Sequence, residues 1–366
     1  MLLNRTQKGF SLIELMISLT LGLLISAAVM QVYLTSIKTS SVQSGGTDIL
    51  EASIFGIQNI EKSIRLSNLG MADSNNPFTP LAGVVMTSDT SLVSASQTDK
   101  SKNNMNGIKM GGTVTSAGTD AIDAKYLTKS GIAASNITGL TSSQLTIQYE
   151  APQDMYDCEG TLVRGPIEIE RDGRLELIPG QVIVQRYYLR EVAQNDKSNY
   201  ESNIKSYELR CDAGRYVKEI LNSAELDLQK INDSTILKES RNIRDFGDVG
   251  EVVIPRVDYF GVLLGVEVVE PLTSSVTLRY FTPEQYMSYL KGLATDSTIT
   301  TDIISVKLSV LVRADRPLTG ETGASNFIIF GEPKTLSADT SKAFIRRVYE
   351  SNIMLRNSRA IKESSI

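Results

Sequence analysis

Lys8-Gly9-Phe10-Ser11-Leu12-Ile13-Glu14-Leu15 opens a run that carries no charge from Leu15 to Ile37. At about 1.5 Å per residue, a helix of that length spans a hydrocarbon core of ~30 Å. Arg5 and Lys8 precede it. Positive flanks hold the short end of a membrane helix in the cytoplasm, so the bulk of the chain is expected on the far side. Three readings of the stretch compete. A plain signal anchor needs only the apolar run. A cleaved secretory signal would use the small residues Ser26-Ala27-Ala28, but Val29, Met30, Val32, Tyr33 and Leu34 carry the apolar region past that point, where a signal peptide ends it. The third reading turns on Glu14. A carboxylate in a membrane helix is costly unless it sits at headgroup level or has a partner. A cut between Gly9 and Phe10 would create a partner, an α-amino group on Phe10, with Glu14 as the fifth residue of the new chain. A helix N-terminus also favours a nearby carboxylate.

Beyond the membrane run, residues 35–47 are rich in Ser and Thr and contain Gly45-Gly46. Each Gly weakens a helix by roughly 1 kcal/mol relative to Ala, which predicts a kink or a melted stretch. Asp48 is placed to cap a resumed helix. Leu50, Ile54, Ile57, Ile60 and Ile64 follow at helical spacing, widened by Phe55 and Leu66. They predict an amphipathic face laid on a sheet, ending near Leu69-Gly70. From Met71 to about Thr141 the sequence turns polar, with turn signals at Asn75-Asn76-Pro77, Gly111-Gly112 and Gly118. This predicts an elaborated loop with short strands or an insertion. Strand patterns follow at Gln144–Tyr149, Val182–Leu189 and Val252–Phe260, the last interrupted by Pro255 as at an edge or a bulge. Val276, Leu278 and Tyr280 alternate with Thr277 and Arg279, and Ile304, Val306, Leu308, Val310 and Val312 with Ser305, Lys307 and Ser309. Such alternation predicts antiparallel strands with one buried and one wet face. Residues 217–245 read as partly helical.

Composition narrows the chemistry. The 366 residues hold 37 Lys and Arg against 42 Asp and Glu, a net charge of −5, which argues against a general nucleic-acid binder. There is no His and no Trp. Ser-His-Asp and Cys-His machinery and His-ligated zinc are therefore impossible, and two cysteines cannot build a four-thiolate site. No Walker A, G-x-S-x-G or G-x-G-x-x-G motif occurs. The oxygen-rich loop Asn195-Asp196-Lys197-Ser198-Asn199 with Glu201 has the ligand type calcium prefers but not EF-hand spacing, and is read as a solvated loop. Asn136-Ile137-Thr138 matches a glycosylation triplet only weakly. No catalytic residue, cofactor or metal site is assigned.

The octapeptide at Lys8–Leu15 resembles the leader and signal of type IV prepilins and of type II secretion pseudopilins. A basic leader ends in Gly, Phe follows, and Glu precedes a long apolar helix. The C-terminal region resembles the PilW-type minor pilins and the related J-type pseudopilins. Phe344-Ile345-Arg346-Arg347-Val348-Tyr349 leads into Leu355-Arg356-Asn357, and Val310–Leu318 and Tyr187-Tyr188-Leu189-Arg190 look alike in kind. A plainer reading leaves Arg346 and Arg347 solvating a surface helix.

The resemblance implies an α+β, type IV pilin-like fold, a long N-terminal helix packed on an antiparallel β-sheet with elaborated loops. The expected divisions are a leader at 1–9, the membrane half of the helix at 10–37, its amphipathic half at 38–69, and a periplasmic domain at 70–366 varying most at 71–141. It implies that a prepilin peptidase cuts between Gly9 and Phe10 and N-methylates Phe10. Loss of Arg5 and Lys8 takes the net charge to −7. Glu14 would neutralise the N-terminal amine of a neighbouring subunit. The implied partners are other minor pilins, the major pilin, the peptidase, an inner-membrane assembly platform and, where one exists, a tip adhesin. The implied place is the inner membrane, N-terminus inward, and later the pilus. The implied role is priming pilus assembly at or near the tip, supporting twitching, adhesion or DNA uptake. A J-type pseudopilin of a secretion system, or a membrane-anchored periplasmic enzyme or receptor, remains an alternative. Cys158 and Cys211 lie on the exported side, where an oxidising compartment favours a disulfide over two buried thiols.

Overall fold

The computed structural model describes residues 11–89, 102–111, 120–171, 173–202, 204–218, 242–293, 298–318, 322–338 and 340–358. Helix α1 runs unbroken over Leu12–Leu66. Every residue from Ser11 to Ser40 is exposed. From Gly45 onward one face is buried: Gly45, Ile49, Ser53, Gly56, Ile60 and Ile64, at steps of three and four.

This corrects the expected break at Gly45-Gly46 and the cap at Asp48, which is an interior helical residue. The glycines persist in the helix because one of them sits at a contact. A Cβ on Gly45 would come within 3.2 Å of Ile345 Cδ1 and 3.5 Å of Ala314 Cβ. The buried stripe is also rotated from the apolar one the sequence displays. Leu50, Ile54 and Phe55 are 37, 40 and 70 % exposed, while Gly45, Ser53 and Gly56 are inside. Small residues let the helix axis approach the sheet, and that approach selects the face. The helix ends at Leu66, three residues before the expected stop, and Asn68 takes the left-handed conformation beyond it at φ 67°.

Two antiparallel sheets carry the domain. In the first, β1 (Lys129–Ala133), β2 (Ser142–Glu150), β3 (Val182–Glu191), β4 (Tyr207–Tyr216) and β5 (Glu251–Ile254) lie in sequential order. The second has the order β7-β6-β8-β9, with β6 at Val257–Glu270, β7 at Ser275–Phe281, β8 at Thr300–Pro317 and β9 at Phe344–Met354. Pro255 and Arg256 (φ 55°) form the corner where the chain leaves the first sheet for the second, so the predicted strand 252–260 is two strands. Helix α1 packs on β8, β9 and β5. Ile49, Ile60 and Ile64 share one core with Leu145, Ile147 and Tyr187 of the first sheet and Val306, Val310 and Ile353 of the second.

The alternating strands depart from expectation in two ways. On β7 the apolar alternate, Val276, Leu278 and Tyr280, is the exposed one, at 61, 51 and 43 %. Its register with β6 sets Phe281, Arg279 and Thr277 beside Leu264, Val266 and Val268 on the core side. There helix α2 (Pro283–Gly292) packs on Phe281, with Tyr286 and Tyr289 stacked on its ring at 5.9 and 5.3 Å. On β8, residues 308–314 are buried on both faces. The hairpin of Asn326–Ile329 and Glu332–Thr335 covers the outer face, with Phe327, Ile329, Leu336 and Ile137 packed on Leu311 and Tyr259.

The polar segment after α1 is held by asparagines rather than by long ladders. Asn104 Oδ1 accepts from Met86 and Thr87 N–H, and its amide donates to Asn76 and Thr79 carbonyls. Asn75 Oδ1 accepts from Val84 N–H, and the Asn75 amide donates to Ile303 O. The segment covers the outer face of the first sheet, where Val85, Met105, Ile108, Ile122 and Leu127 pack on Val182, Val184 and Tyr216. The expected helical stretch at 217–245 falls largely outside the described residues, which resume with a short strand at Asn242–Ile243.

A paired substitution tests the small-residue contact. A Cβ on Gly56 would meet Ile254 Cγ1 and lie 2.7 Å from Val253 O, whereas one on Gly46 meets nothing within 4 Å. Gly56→Ala should lower stability by about 1–3 kcal/mol and Gly46→Ala should raise it by up to ~1 kcal/mol, read as opposite shifts in thermal unfolding.

Candidate functional site

The residues on which the sequence reading rests fall in three places. At the N-terminus, Arg5, Lys8, Gly9 and Phe10 lie outside the described residues. Ser11 caps α1: its hydroxyl accepts from Glu14 N–H at 3.3 Å. Glu14 sits in the first turn, exposed, at the end where a carboxylate is favoured by the helix dipole. The 30 residues from Ser11 to Ser40, apolar over most of their length, form an exposed helical arm.

At the other end of α1, the C-terminal motif has a mechanical explanation. Leu355 is buried and its N–H donates to Ile304 O at 2.9 Å. The Asn68 amide donates to Asn357 O at 2.6 Å and Ala72 O at 2.7 Å, while Asn68 Oδ1 accepts from Gly83 N–H at 2.9 Å. Asn68 N–H donates to Gln148 O on β2. The helix end is thereby tied to the first sheet, to the polar segment and to the C-terminal strand. Arg356 is exposed and lines an open groove with Gln58, Lys62 and Arg65.

Arg346 is not a surface solvator. It lies on β9 directly across from Arg313 of β8, and both guanidinium groups are buried. Asp258 of β6 serves both: Arg346 Nε lies 2.6 Å from its Oδ2, and Arg313 Nε 3.6 Å from its Oδ1. Asn136 donates to Asp258 Oδ1 at 2.6 Å, so the weak glycosylation triplet is a buried structural amide. Arg313 also donates to Glu201 and to Ser206 Oγ. Burial opposes ionisation of Glu201, but the charge of Arg313 outweighs it and holds the carboxyl below its ordinary range. Glu201, expected in a solvated loop, thus belongs to a network of two cations and two anions that joins the first sheet's β3–β4 loop to the second sheet. Arg347, one residue on, is exposed.

The third place is the disulfide. Cys158 and Cys211 are bonded, with Cα atoms 6.2 Å apart. Cys211 is on β4, and the bond pins the loop after Met155–Tyr156 to it. Each half-cystine is followed by an acid. One carboxylate oxygen from each of Glu159, Asp212 and Asp248 lies within 4.8 Å of the others. Asp212 is buried and paired with Arg186 at 2.6 Å. Arg186 is boxed by Tyr126 and Tyr188, 4.6 and 4.1 Å from their ring centres. Burial pushes Glu159 up to about 7, and pushes Asp212 up to about 6 against the pull of Arg186.

Of these residues the sequence points to Arg5, Lys8, Gly9, Phe10, Glu14, the cysteines and the Arg and Leu-Arg-Asn motifs, and to Asn136 and Glu201 under a different reading. Asp258, Asn68 and Glu159 carry no signal in a single chain. Each acts through a neighbour remote in sequence.

Two families match parts of the chain. Residues 4–30 match the prokaryotic N-terminal methylation motif, and residues 228–357 match type IV pilus-assembly protein W. The second match takes in Asp258, Arg313, Arg346 and Leu355–Asn357. Among solved structures, a type IV-like pilin from Thermus thermophilus is 13 % identical, over 64 % of this chain and 83 % of its own, with a TM-score of 0.23. No curated protein matches the chain.

Two measurements check the clamps. Arg346→Ala leaves Asp258 buried with one cation fewer and should cost about 3–5 kcal/mol, while Arg356→Ala should stay within about 0.5 kcal/mol, both by thermal unfolding. Closing a loop of separation 53 stabilises by about 4 kcal/mol in the chain-entropy account. Cys158→Ala should cost that order, and unreduced protein should yield no alkylated thiol.

Proposed function

We propose that this chain, a prepilin of the PilW family by the two matched regions, is a minor pilin whose globular domain rides on a membrane-drawn helix into a type IV pilus. The observation that carries the proposal is the form of α1, one continuous helix with an exposed apolar first half and a second half clamped into the domain. A rigid rod transmits position. A subunit pulled out of the bilayer by its helix moves its domain with it, and helix packing in lipid needs no soluble cofactor.

Residues 1–9 are the leader. The peptidase cuts between Gly9 and Phe10 and methylates Phe10, and Arg5 and Lys8 leave with the leader. Before assembly the N-terminus faces the cytoplasm and the domain the periplasm. Glu14 then meets the amine of a neighbouring Phe10. In hydrocarbon an unpaired carboxylate and an unpaired ammonium each carry a cost that pairing removes, so the pair sets the axial register between subunits. The presence of Glu14 supports a subunit that docks against another rather than only ending a filament. The partners are other minor pilins and the major pilin, through an inner-membrane platform and its ATPase. The complex primes assembly and stays at or near the tip, with a tip adhesin where one exists. The chain is not an enzyme in this reading. The absence of His and the commitment of both cysteines to a disulfide support that.

Mass spectrometry of the N-terminal peptide from membrane and sheared-filament fractions should find N-methylated Phe10 as the first residue. A peptide beginning at Met1 overturns the processing. Glu14→Ala should leave processing intact and lower incorporation into filaments at least about tenfold, the equivalent of ~1.4 kcal/mol. Lost surface pili with secretion intact would support the pilus role over the J-type pseudopilin, and lost exoprotein secretion the reverse.

A further inference from the structure

We infer that Glu159, Asp212 and Asp248 form a proton-held latch that fastens the 244–250 loop to the disulfide and so steadies the strand on which helix α1 rests. The inference does not depend on the filament reading.

The geometry begins with the disulfide. It brings two chain segments together and sets Glu159 and Asp212, the residues after each half-cystine, close to one another. Asp248 approaches from the third side. Glu159 Oε1 is buried with no hydrogen-bond partner. Asp212 already has its counter-charge in Arg186. The 244–250 loop is pressed onto this cluster: Gly247 N–H donates to both oxygens of Asp212 at 3.0 and 3.1 Å. A Cβ on Gly250, at φ +64°, would run into the carbonyl of Cys211. Gly250 leads directly into β5, whose Val253 and Ile254 touch Gly56 of α1.

The groups facing Glu159 are almost all acidic. Burial raises its affinity for a proton most, the Ala213 N–H of β4 opposes this, and Asp248 from the loop itself, Asp212 from β4 and Asp157 from its own loop raise it further. Of the positive groups nearby, Arg186 belongs to the cluster through Asp212, and the others are engaged elsewhere. Arg186 of β3 is paired with Asp212, Arg215 of β4 with Asp245, and Arg210 of β4 donates to Glu208 and to Val249 and Gly250 carbonyls. Arg186 offsets one of the three charges; the remaining carboxylates repel at this spacing, so the closed loop holds a proton, and burial favours Glu159 as its site.

The sign follows from linkage. The folded cluster binds a proton more tightly than the opened one does, so closure is favoured at low pH and weakened as pH rises through about 7. Between the ordinary carboxylate range and about 7 each pH unit multiplies the opening equilibrium roughly tenfold, and above about 7 the effect levels off because both states have lost the proton. A latch of this kind would loosen the β5 contact with α1 as the surroundings pass from acid to neutral pH.

The test is hydrogen exchange on the full-length protein in detergent micelles at pH 6 and pH 8, corrected for intrinsic exchange chemistry. Peptides covering 244–254 should lose protection roughly tenfold in wild type and stay unchanged in Glu159→Gln, with β8 peptides unchanged in both. Asp248→Asn, at an exposed position, is the second variant should Glu159→Gln fail to fold, and it should weaken the pH response. Equal protection at the two pH values, or the same loss in Glu159→Gln, overturns the inference. So does protection at pH 8 that depends on millimolar calcium and not on protons, which would make a cation the neutralising partner.

Discussion

The close approach of α1 to the sheets is the contact on which the rest of the structure depends. Gly45, Ser53 and Gly56 remove side-chain bulk from one face of the helix, so its backbone lies against Ala314 and Ile345 at one point and against Val253 and Ile254 at another. Both sheets touch the helix, and their inner faces share one core with it. A helix held at that distance can project a long unsupported arm. A helix held off by larger side chains would rest on fewer atoms, and dispersion falls steeply with small gaps.

The remaining devices stop the two sheets from moving relative to that helix. The Asp258–Arg313–Arg346–Glu201 network ties them through buried charge, and Asn68 and Asn357 tie the helix end to both chain directions. A buried network of this kind adds little net stability over an apolar replacement, but it penalises any arrangement that separates its members. It suits a subunit that is moved as a rigid body. The disulfide pins the loop after Met155–Tyr156 to β4 by covalent means.

Several elements could be read in sequence because their signal is local. The apolar run, the leader motif and the strands at 144–149 and 182–189 all belong to that class, and Pro255 marks a real corner. Failures occurred where a neighbour decides. Gly45-Gly46 reads as weak helix by propensity, yet the contact with Ile345 gives a reason for glycine there. Leu50, Ile54 and Phe55 read as core by hydropathy, yet smaller residues turn the helix away from them. The alternation on β7 was real, but its register with β6 sends the apolar side outward, because a strand's two faces exchange with a shift of one residue. Glu201 looked solvated, and Arg313 lies too far along the chain for its pairing to be read.

Sequence by itself determined the long apolar helix, the methylation motif, the α+β class and the exclusion of histidine chemistry. Each follows from residue identity or from spacing within a few turns of chain. Only the tertiary structure decided which face of α1 is buried, which charges pair, and that three acids meet beside the disulfide. Those outcomes depend on distances between segments tens to hundreds of residues apart, and on the closest packing the smallest side chains allow.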